Sequence, residues 1–266
     1  MHFVKGHGTE NDFVLLPPGE VDELSADVVR ALCDRRRGVG ADGVLRVVRA
    51  DSGEPDVRWF MDYRNADGSE AEMCGNGIRV FARFLVTAGL EEAGRLRIDT
   101  RDGVKEVDAS ATGDITVDMG PAEVLDDAKV QIGNTWYDAV GWSMGNPHLV
   151  VLDFGRLAGA DLTKTPTIDP ASAYPDGVNV EIVDRAGPCH IRMRVHERGS
   201  GETRSCGTGA CAAAVAAMEA AGERTTYVVD VPGGRLMVEW RADGTVHLTG
   251  PAVLTARGET DVAISS

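Results

Sequence analysis

The sequence predicts an α/β fold of the α+β type, with two pseudo-symmetric domains, each a mostly antiparallel curved sheet or barrel around a central helix. Two observations lead to this prediction. The string "CGNG" at Cys74 nearly repeats as "CGTG" at Cys206, and a helix-like segment follows each. The strand-like segments "ITVDMGPA" and "TVHLTGPA" then end at a Gly-Pro turn, at nearly the same distance after each cysteine. Agreement in order and spacing indicates two related halves.

The segments after the two cysteines have the periodicity of helices. After Cys74, the apolar side chains recur at helical spacing, at Ile78, Phe81, Ala82 and Leu85. Gly89 lies where a left-handed cap would end this helix. After Cys206, an alanine-rich run favours helix and Gly222 would end it in the same way. Segments such as "LRIDTRDGVKEVDAS" and "HIRMRVHERG" alternate apolar and polar residues, which predicts strands joined by turns.

At 266 residues the chain is long enough for two domains of ordinary size. We expect a first half over residues 1–123 that carries Cys74, and a second half over 124–251 that carries Cys206. The net charge of −15 disfavours nucleic-acid and anionic-membrane partners. The sequence contains neither a signal-peptide pattern nor a long apolar run, which indicates a cytoplasmic protein.

The five cysteines are an odd number, which argues for free thiols rather than a disulfide framework. A cysteine at a helix start meets unpaired backbone N–H groups and the positive end of the helix dipole, and both favour the thiolate. The glycines that follow let a ligand approach the backbone, so the same N–H groups can hold a carboxylate. One helix start can therefore supply a base and an anion site.

Two such helix starts, facing each other across an interdomain cleft, would hold one carboxylate with a thiol on each side of its α-carbon. One cysteine, as thiolate, would remove the α-proton while the other, as thiol, delivers a proton to the opposite face. The helix N–H groups would stabilise the negative charge that develops on the carboxylate. The repeated motif thus predicts inversion of an amino-acid centre.

Other interpretations of these residues stay open. The two glycine strings could be ordinary turns, alike by chance, and a buried cysteine is commonly a small hydrophobic residue, which we expect for Cys33, Cys189 and Cys211. A zinc site lacks the usual ligand spacing. A structural disulfide between Cys74 and Cys206 fits the pairing but not a cytoplasmic setting.

Several motifs together resemble the diaminopimelate epimerase family, which acts in lysine and cell-wall precursor synthesis. They are "GTENDFVLL", "RNADGSEAEMCGNG", "SMGNPH", "GVNVEIV" and "HERGSGETRSCGTGACA", in the family's order and over most of the chain. The resemblance implies a homodimer of chains with two related halves, in which the segment 252–266 returns to the first half. It also implies diaminopimelate as substrate and catalysis without pyridoxal phosphate, any other cofactor or a metal.

The resemblance further implies a set of site residues. Catalysis would fall to Cys74 and Cys206, assisted by His148 and Glu197. Substrate contacts would come from Asn11, Asn65, Gly75, Asn76, Asn146, Asn179, Glu197, Arg198, Gly207 and Thr208. Asparagine suits a zwitterion because it donates and accepts hydrogen bonds without net charge, and arginine can grip a carboxylate with two bonds. Any one asparagine could instead form a turn, and Arg198 could be an exposed charge at a strand end.

One position departs from the family pattern. Many members have a glutamine near the end of the "GVGADG" segment, where this chain has Gly43, and we expect no role for Gly43. Two other functions remain as alternatives. One is a proline racemase or hydroxyproline epimerase, against which Asn65, Asn179 and Arg198 argue because a cyclic substrate has no second amino-acid end. The other is a non-catalytic, redox-sensing module that binds an amino acid.

Overall fold

The computed structural model describes residues 1–262, so the last four residues of the segment 252–266 lie outside the described part. The chain forms two units. The first unit is Met1–Val117 with Gly250–Ser266, and the second unit is Asp118–Thr249. None of the helices within residues 1–262 combines the length and apolar character needed to cross a bilayer.

Strands dominate both units. From the start of the chain to residue 121 the elements are β1 (His2–Gly8), β2 (Asn11–Leu16), α1 (Ala26–Cys33), β3 (Gly43–Arg49), β4 (Val57–Asn65), α2 (Gly75–Thr87), β5 (Gly94–Asp99), β6 (Lys105–Ala109) and β7 (Ile115–Pro121). Then follow β8 (Glu123–Ile132), β9 (Thr135–Ser143), β10 (Pro147–Val151), β11 (Thr167–Asp169), β12 (Asn179–Gly187), β13 (His190–Glu197), β14 (Gly201–Thr203), α3 (Gly207–Ala221), β15 (Thr226–Val231), β16 (Gly234–Trp240), β17 (Thr245–Gly250) and β18 (Val253–Glu259). Short 3-10 turns lie at Leu157–Gly159 and Ala171–Ala173.

The two units repeat one strand order. In the first unit the strands run β18-β1-β2-β3-β4-β5-β6-β7, and in the second β8-β9-β10-β12-β13-β15-β16-β17. In both rows the third and fourth strands are parallel, as are the fifth and sixth, and every other neighbouring pair is antiparallel. The same order with the same two parallel pairs confirms the predicted pseudo-symmetric, mostly antiparallel architecture.

Each row of strands curves around one helix. In the first unit α2 contacts β18 and β1 near one end of the row and β6 near the other, which only a curved sheet permits. In the second unit α3 contacts strands from β9 to β16. Its small alanine side chains let many strands approach, and Ala210–Met218 is buried without interruption. The helices end where predicted, with Gly89 and Gly222 both at φ 69° in the left-handed region.

The strand β2 is buried on both faces, which positions the residues at its start. Val14 and Leu16 pack in a cluster with α1, whereas Phe13 faces the start of α2, 3.5 Å from the place where a Gly77 side chain would begin. Successive strand residues point to opposite faces, so α1 and α2 cover the two sides of β2. Asn11, at the start of β2, is thereby held beside the first turn of α2.

Candidate active site

Both cysteines of the repeated motif are N-cap residues of the central helices. Cys74 precedes α2 with extended backbone (φ −139°, ψ 119°), and its Sγ accepts the Gly77 N–H at 3.4 Å. Cys206 precedes α3 with nearly the same backbone (φ −122°, ψ 121°), and its Sγ accepts the Gly209 N–H at 3.3 Å. Serine, threonine, aspartate and asparagine are the usual N-cap residues. Cysteine at both positions therefore indicates that the thiols have a chemical role in addition to capping the helices.

In the first unit, an asparagine pair surrounds the Cys74 thiol. The Asn11 Oδ1 lies 3.6 Å from the Cys74 Sγ and accepts a hydrogen bond from the thiol. The same oxygen accepts from the Asn76 Nδ2 at 3.3 Å, and the Asn11 Nδ2 donates to Asp42 at 2.9 Å. These bonds fix which end of the Asn11 amide faces the thiol.

A fully buried arginine lies within the first turns of α2. The Arg79 guanidinium donates to the Gly75 carbonyl at 2.8 Å and to the Asn76 Oδ1 at 2.7 Å. Its positive charge lies in the same first turns of α2 as the N–H groups at the positive end of the helix dipole. The corresponding position in α3, five residues after its cysteine, holds Cys211, which is also buried. The two helix starts therefore differ in charge.

The strand ends around Asn11 are held by a charged network. Arg35 donates to Asp12 at 2.7 and 3.0 Å and to Asp42 at 2.8 Å, and Lys5 pairs with Asp12 at 2.7 Å. Burial acts to raise the pKa of Asp12, but the hydrogen bonds from Arg35 and Lys5 hold it well below its usual range. Asp12 is therefore ionised, and the network fixes the start of β2 beneath Asn11.

Asn65 and Gly43 face each other where β4 ends and β3 begins. The Asn65 Nδ2 donates a hydrogen bond to the Ser69 hydroxyl at 3.0 Å, so this side chain is bound to Ser69 rather than to the residues around the Cys74 thiol. At Gly43, an added Cβ would lie 2.6 Å from the Arg64 carbonyl oxygen and 2.8 Å from the Tyr63 ring. A side chain at position 43 would therefore require this backbone to shift.

In the second unit, the Cys206 thiol lies among buried acids. Cys206 is only 7% exposed, and its Sγ is 3.4 Å from the Thr208 hydroxyl. Burial raises the pKa of this thiol well above its ordinary value, and the carboxylates of Glu197 and Glu181 raise it further. The Gly209 N–H at the helix start lowers the pKa of Cys206, as expected, but burial and two negative neighbours outweigh this contribution. At neutral pH this cysteine is a thiol.

Glu197, at the end of β13, accepts a hydrogen bond from the Thr203 hydroxyl. Burial raises the pKa of this carboxyl, the Thr203 bond lowers it, and the charge of Glu181 raises it. The net shift is upward. Glu197 therefore lies next to Cys206 with its pKa above the ordinary value of a glutamate.

His148 lies on β10 with its ring fully buried and both nitrogens occupied. Nδ1 is 2.7 Å from the Glu181 Oε1, and Nε2 is 3.0 Å from the Asn146 Oδ1. Glu181 was missed by the sequence analysis, and so was Thr203. The local pattern "VNVEIV" gives no sign that Glu181 is buried, because burial there depends on a histidine from another strand.

Asn179 ties together two segments of the predicted site. Its Nδ2 donates to the Pro147 carbonyl at 3.0 Å, and its Oδ1 accepts the Arg198 N–H at 3.0 Å. The Arg198 side chain is exposed and donates to the Asp176 carbonyl at 3.3 Å. One N–H and one lone pair of the Asn179 amide are left for other contacts.

The predicted site residues therefore fall into two sets. The first unit holds Asn11, Asn65, Cys74, Gly75 and Asn76, and the second holds Asn146, His148, Asn179, Glu197, Arg198, Cys206, Gly207 and Thr208. In both units they occupy the start of the third strand, the end of the fifth strand and the start of the central helix; Asn179, at the start of the fourth strand of the second unit, is the exception. In residues 1–262, no three histidine, cysteine, aspartate or glutamate side chains are grouped so that they could hold a metal ion.

Comparison with solved structures gives the fold. A probable proline racemase from Agrobacterium radiobacter superposes with a TM-score of 0.74 over 98% of this chain and 93% of that one, at 16% identity. A phenazine biosynthesis protein of the PhzF family from Bacillus anthracis matches with a TM-score of 0.74 over 98% of both chains, also at 16% identity. At such identities the likeness shows shared architecture alone.

Comparison of sequences gives the family. The chain is 53% identical to the diaminopimelate epimerase of Streptomyces coelicolor, over 98% of this chain and 96% of the relative. It is 48% identical to that of Thermobifida fusca, over 100% of this chain and 99% of the relative. The family model described as "Diaminopimelate epimerase" matches residues 3–125 and 141–255. With both cysteine-capped helices inside the matched ranges, the chain belongs to the diaminopimelate epimerase family.

Proposed function

We propose that this chain is an isomerase that interconverts LL- and meso-diaminopimelate by two-base proton transfer between Cys74 and Cys206. The observation that carries the proposal is the repeated geometry of the two thiols, each an N-cap that accepts the N–H of a glycine three residues on. Membership of the family supports diaminopimelate as the substrate. The reaction would serve lysine and peptidoglycan precursor synthesis.

In the proposed mechanism, the two thiols act on opposite faces of one α-carbon. The thiolate takes the α-proton, and the thiol gives its proton to the other face, so the centre inverts. The backbone N–H groups at Gly75, Asn76, Gly207 and Thr208 would hold the α-carboxylate and stabilise the charge that builds up on it. His148 and Glu197 would assist the two thiols.

The other polar residues would bind the substrate's amino and carboxylate groups. The contacts of Asn11 with Cys74 and of Asn146 with His148 support this assignment. We assign the far end of the substrate to Arg198 with Asn65 and Asn179. The exposed Arg198 guanidinium supports this, because it keeps donors available for a carboxylate.

We further propose that the enzyme works without pyridoxal phosphate, in the cytoplasm, as a homodimer, with functional halves at 1–123 and 124–251 and the 252–266 segment joined to the first. Activity of the purified protein after treatment with hydroxylamine, which removes pyridoxal phosphate, tests the first point. Light scattering coupled to size-exclusion chromatography tests the dimer.

The decisive experiment is an epimerase assay on purified protein with LL-diaminopimelate, in which chiral chromatography measures the meso product. The Cys74→Ala and Cys206→Ala variants should each lose at least the ~10²–10⁴-fold typical of one acid or base, because inversion needs both thiols. Near-normal turnover in either variant contradicts the two-thiol mechanism. Racemisation of proline as fast as diaminopimelate would favour the racemase alternative, and binding without turnover would favour a sensor.

A further inference from the structure

The second unit contains a buried carboxylate that the proposed two-thiol chemistry leaves without a role. Glu181 on β12 is fully buried, and one of its oxygens, Oε1, is 2.7 Å from the His148 Nδ1. Its other oxygen, Oε2, has no hydrogen-bond partner among the described residues. A buried carboxylate with an unsatisfied oxygen is costly to the folded state, so its presence calls for a function other than stability.

Glu181 lies directly against the helix turn that holds the Cys206 thiol. A Cβ added to Gly209 would lie 2.5 Å from the Glu181 Oε1 and 3.3 Å from the Cys206 Sγ. Gly209 is also the residue whose N–H the thiol accepts. The carboxylate and the thiol therefore share one glycine as neighbour, and a charge on one is felt by the other.

The charged groups around the start of α3 are mostly negative. Glu181 comes from β12, Glu197 from β13, and His148 from β10, where it bonds to Glu181. Elsewhere on the surrounding strands, Asp138 pairs with Lys129, Arg194 with Glu202, Asp230 with Arg235, and Glu239 with Arg241, and Arg192 of β13 is exposed. Burial together with Glu197 and Glu181 raises the pKa of Cys206.

We propose that Glu181 is a positioning residue: its carboxylate holds the His148 ring through Nδ1 and disfavours a thiolate at Cys206 in the free enzyme, so that Cys206 is the proton donor in one direction of the interconversion and, as the thiolate formed in that step, the base in the reverse direction. This rests on the proposed function. The base takes the α-proton and leaves the electron pair of that C–H bond on the substrate. The Cys206 S–H bond then breaks, its proton forms the new C–H bond with that pair, and the S–H electrons remain on Sγ as a thiolate.

The first unit supports the same division of roles. Where α3 has the uncharged Cys211, α2 has the buried Arg79 guanidinium, which donates to the Gly75 carbonyl beside Cys74. A buried positive charge stabilises a thiolate and a buried negative charge a thiol. The two half-sites thus favour opposite protonation states, as a two-base reaction requires at its start.

The test is Glu181→Gln, which keeps the size of the side chain and an oxygen for His148 but removes the charge. The rate of Cys206 alkylation by iodoacetamide is followed by peptide mapping from neutral to strongly alkaline pH. Loss of a like-signed neighbour should move the midpoint of the Cys206 profile to lower pH by about one unit. The matched control is Glu239→Gln, the same change on β16 at a half-exposed carboxylate, which should keep the wild-type profile.

A variant that loses epimerase activity but keeps the wild-type Cys206 profile shows a merely structural role and overturns the proposal. If Glu181→Gln fails to fold, the wild-type profile decides. A Cys206 midpoint above that of free glutathione supports the proposal, and one at or below it refutes it. The proposed two-thiol function is tested separately, because full epimerase activity in Cys74→Ala or Cys206→Ala would refute it whatever the Cys206 alkylation profile shows.

Discussion

The two motif glycines that donate to the thiols offer a matched pair of substitutions, Gly77→Ala and Gly209→Ala. Both glycines occupy the third position of a helix and neither has positive φ, so alanine fits the backbone at both. The spaces around them differ. At Gly77 the nearest atoms to an added Cβ lie at 3.4–3.5 Å, in Cys74, Leu45 and Phe13, which is ordinary contact.

At Gly209 the added Cβ would lie 2.5 Å from the Glu181 Oε1. That is roughly 1 Å inside van der Waals contact. The Glu181 carboxylate cannot move away freely because it is fully buried and bound to His148 at 2.7 Å. Overpacking of this kind costs about 1–3 kcal/mol of stability. The gain in helix propensity from glycine to alanine, up to about 1 kcal/mol, is common to both variants and cancels in their comparison.

We therefore expect Gly209→Ala to be about 1–3 kcal/mol less stable than Gly77→Ala. Differential scanning calorimetry measures this as a melting temperature lower by about 2–4 °C per kcal/mol. Equal melting temperatures for the two variants would refute the packing of Glu181 against the start of α3, and with it the reasoning that links this carboxylate to Cys206.

Three further predictions concern charge, substrate grip and redox chemistry. Asp62→Asn should cost about 3–5 kcal/mol of unfolding free energy at neutral pH, because it removes the buried carboxylate that Arg46, Arg64 and Arg101 share, leaving Arg64 and Arg101 only the exposed Glu70; urea unfolding measures this. Arg198→Lys keeps the charge but loses the planar guanidinium that can make two parallel hydrogen bonds. The fall in kcat/KM for LL-diaminopimelate, measured in the chiral assay, should therefore correspond to about 1–3 kcal/mol of lost transition-state stabilisation. Mild oxidant should abolish activity through a Cys74–Cys206 disulfide, detectable by peptide mapping, and dithiothreitol should restore it.

Each of these predictions has a control. Burial acts to raise the pKa of Asp62, but hydrogen bonds from Arg101 and Arg64 lower it on balance. Its stabilising effect is therefore full above the unfolded-state pKa of about 3.9 and is lost as the pH falls toward the lower folded value. The cost of Asp62→Asn should shrink in acid, and Asp138→Asn, at a 90% exposed carboxylate, should cost little at any pH. An Arg198→Lys variant with wild-type kcat/KM would contradict the prediction for substrate binding. Oxidation that joins a different pair of cysteines would contradict the prediction of a Cys74–Cys206 disulfide.

Local signals account for what the sequence predicts correctly. The cysteine, the glycines and the apolar spacing that mark α2 and α3 lie within a few residues of one another, so both helices and their left-handed ends follow from neighbouring residues. The burial of Glu181 cannot be predicted from neighbouring residues, because its partner His148 is on another strand and both faces of β12 are covered there. The upward pKa shift of Cys206 is likewise non-local, since burial and carboxylates from β12 and β13 outweigh the helix start.

The pairing of β18 with β1 has a consequence for how the chain folds during synthesis. β18 aligns with β1 from His2↔Glu259 to His7↔Val253, and the carbonyls of Pro251 and Ala252 accept from Arg79 and Arg83 of α2. The second unit is continuous in sequence, whereas the first unit cannot complete its sheet until β18, which follows the whole second unit, has been synthesised. Until then β1 is an open sheet edge, exposed to pairing with other chains. The N-terminal unit therefore depends on a strand that is synthesised after the entire second unit.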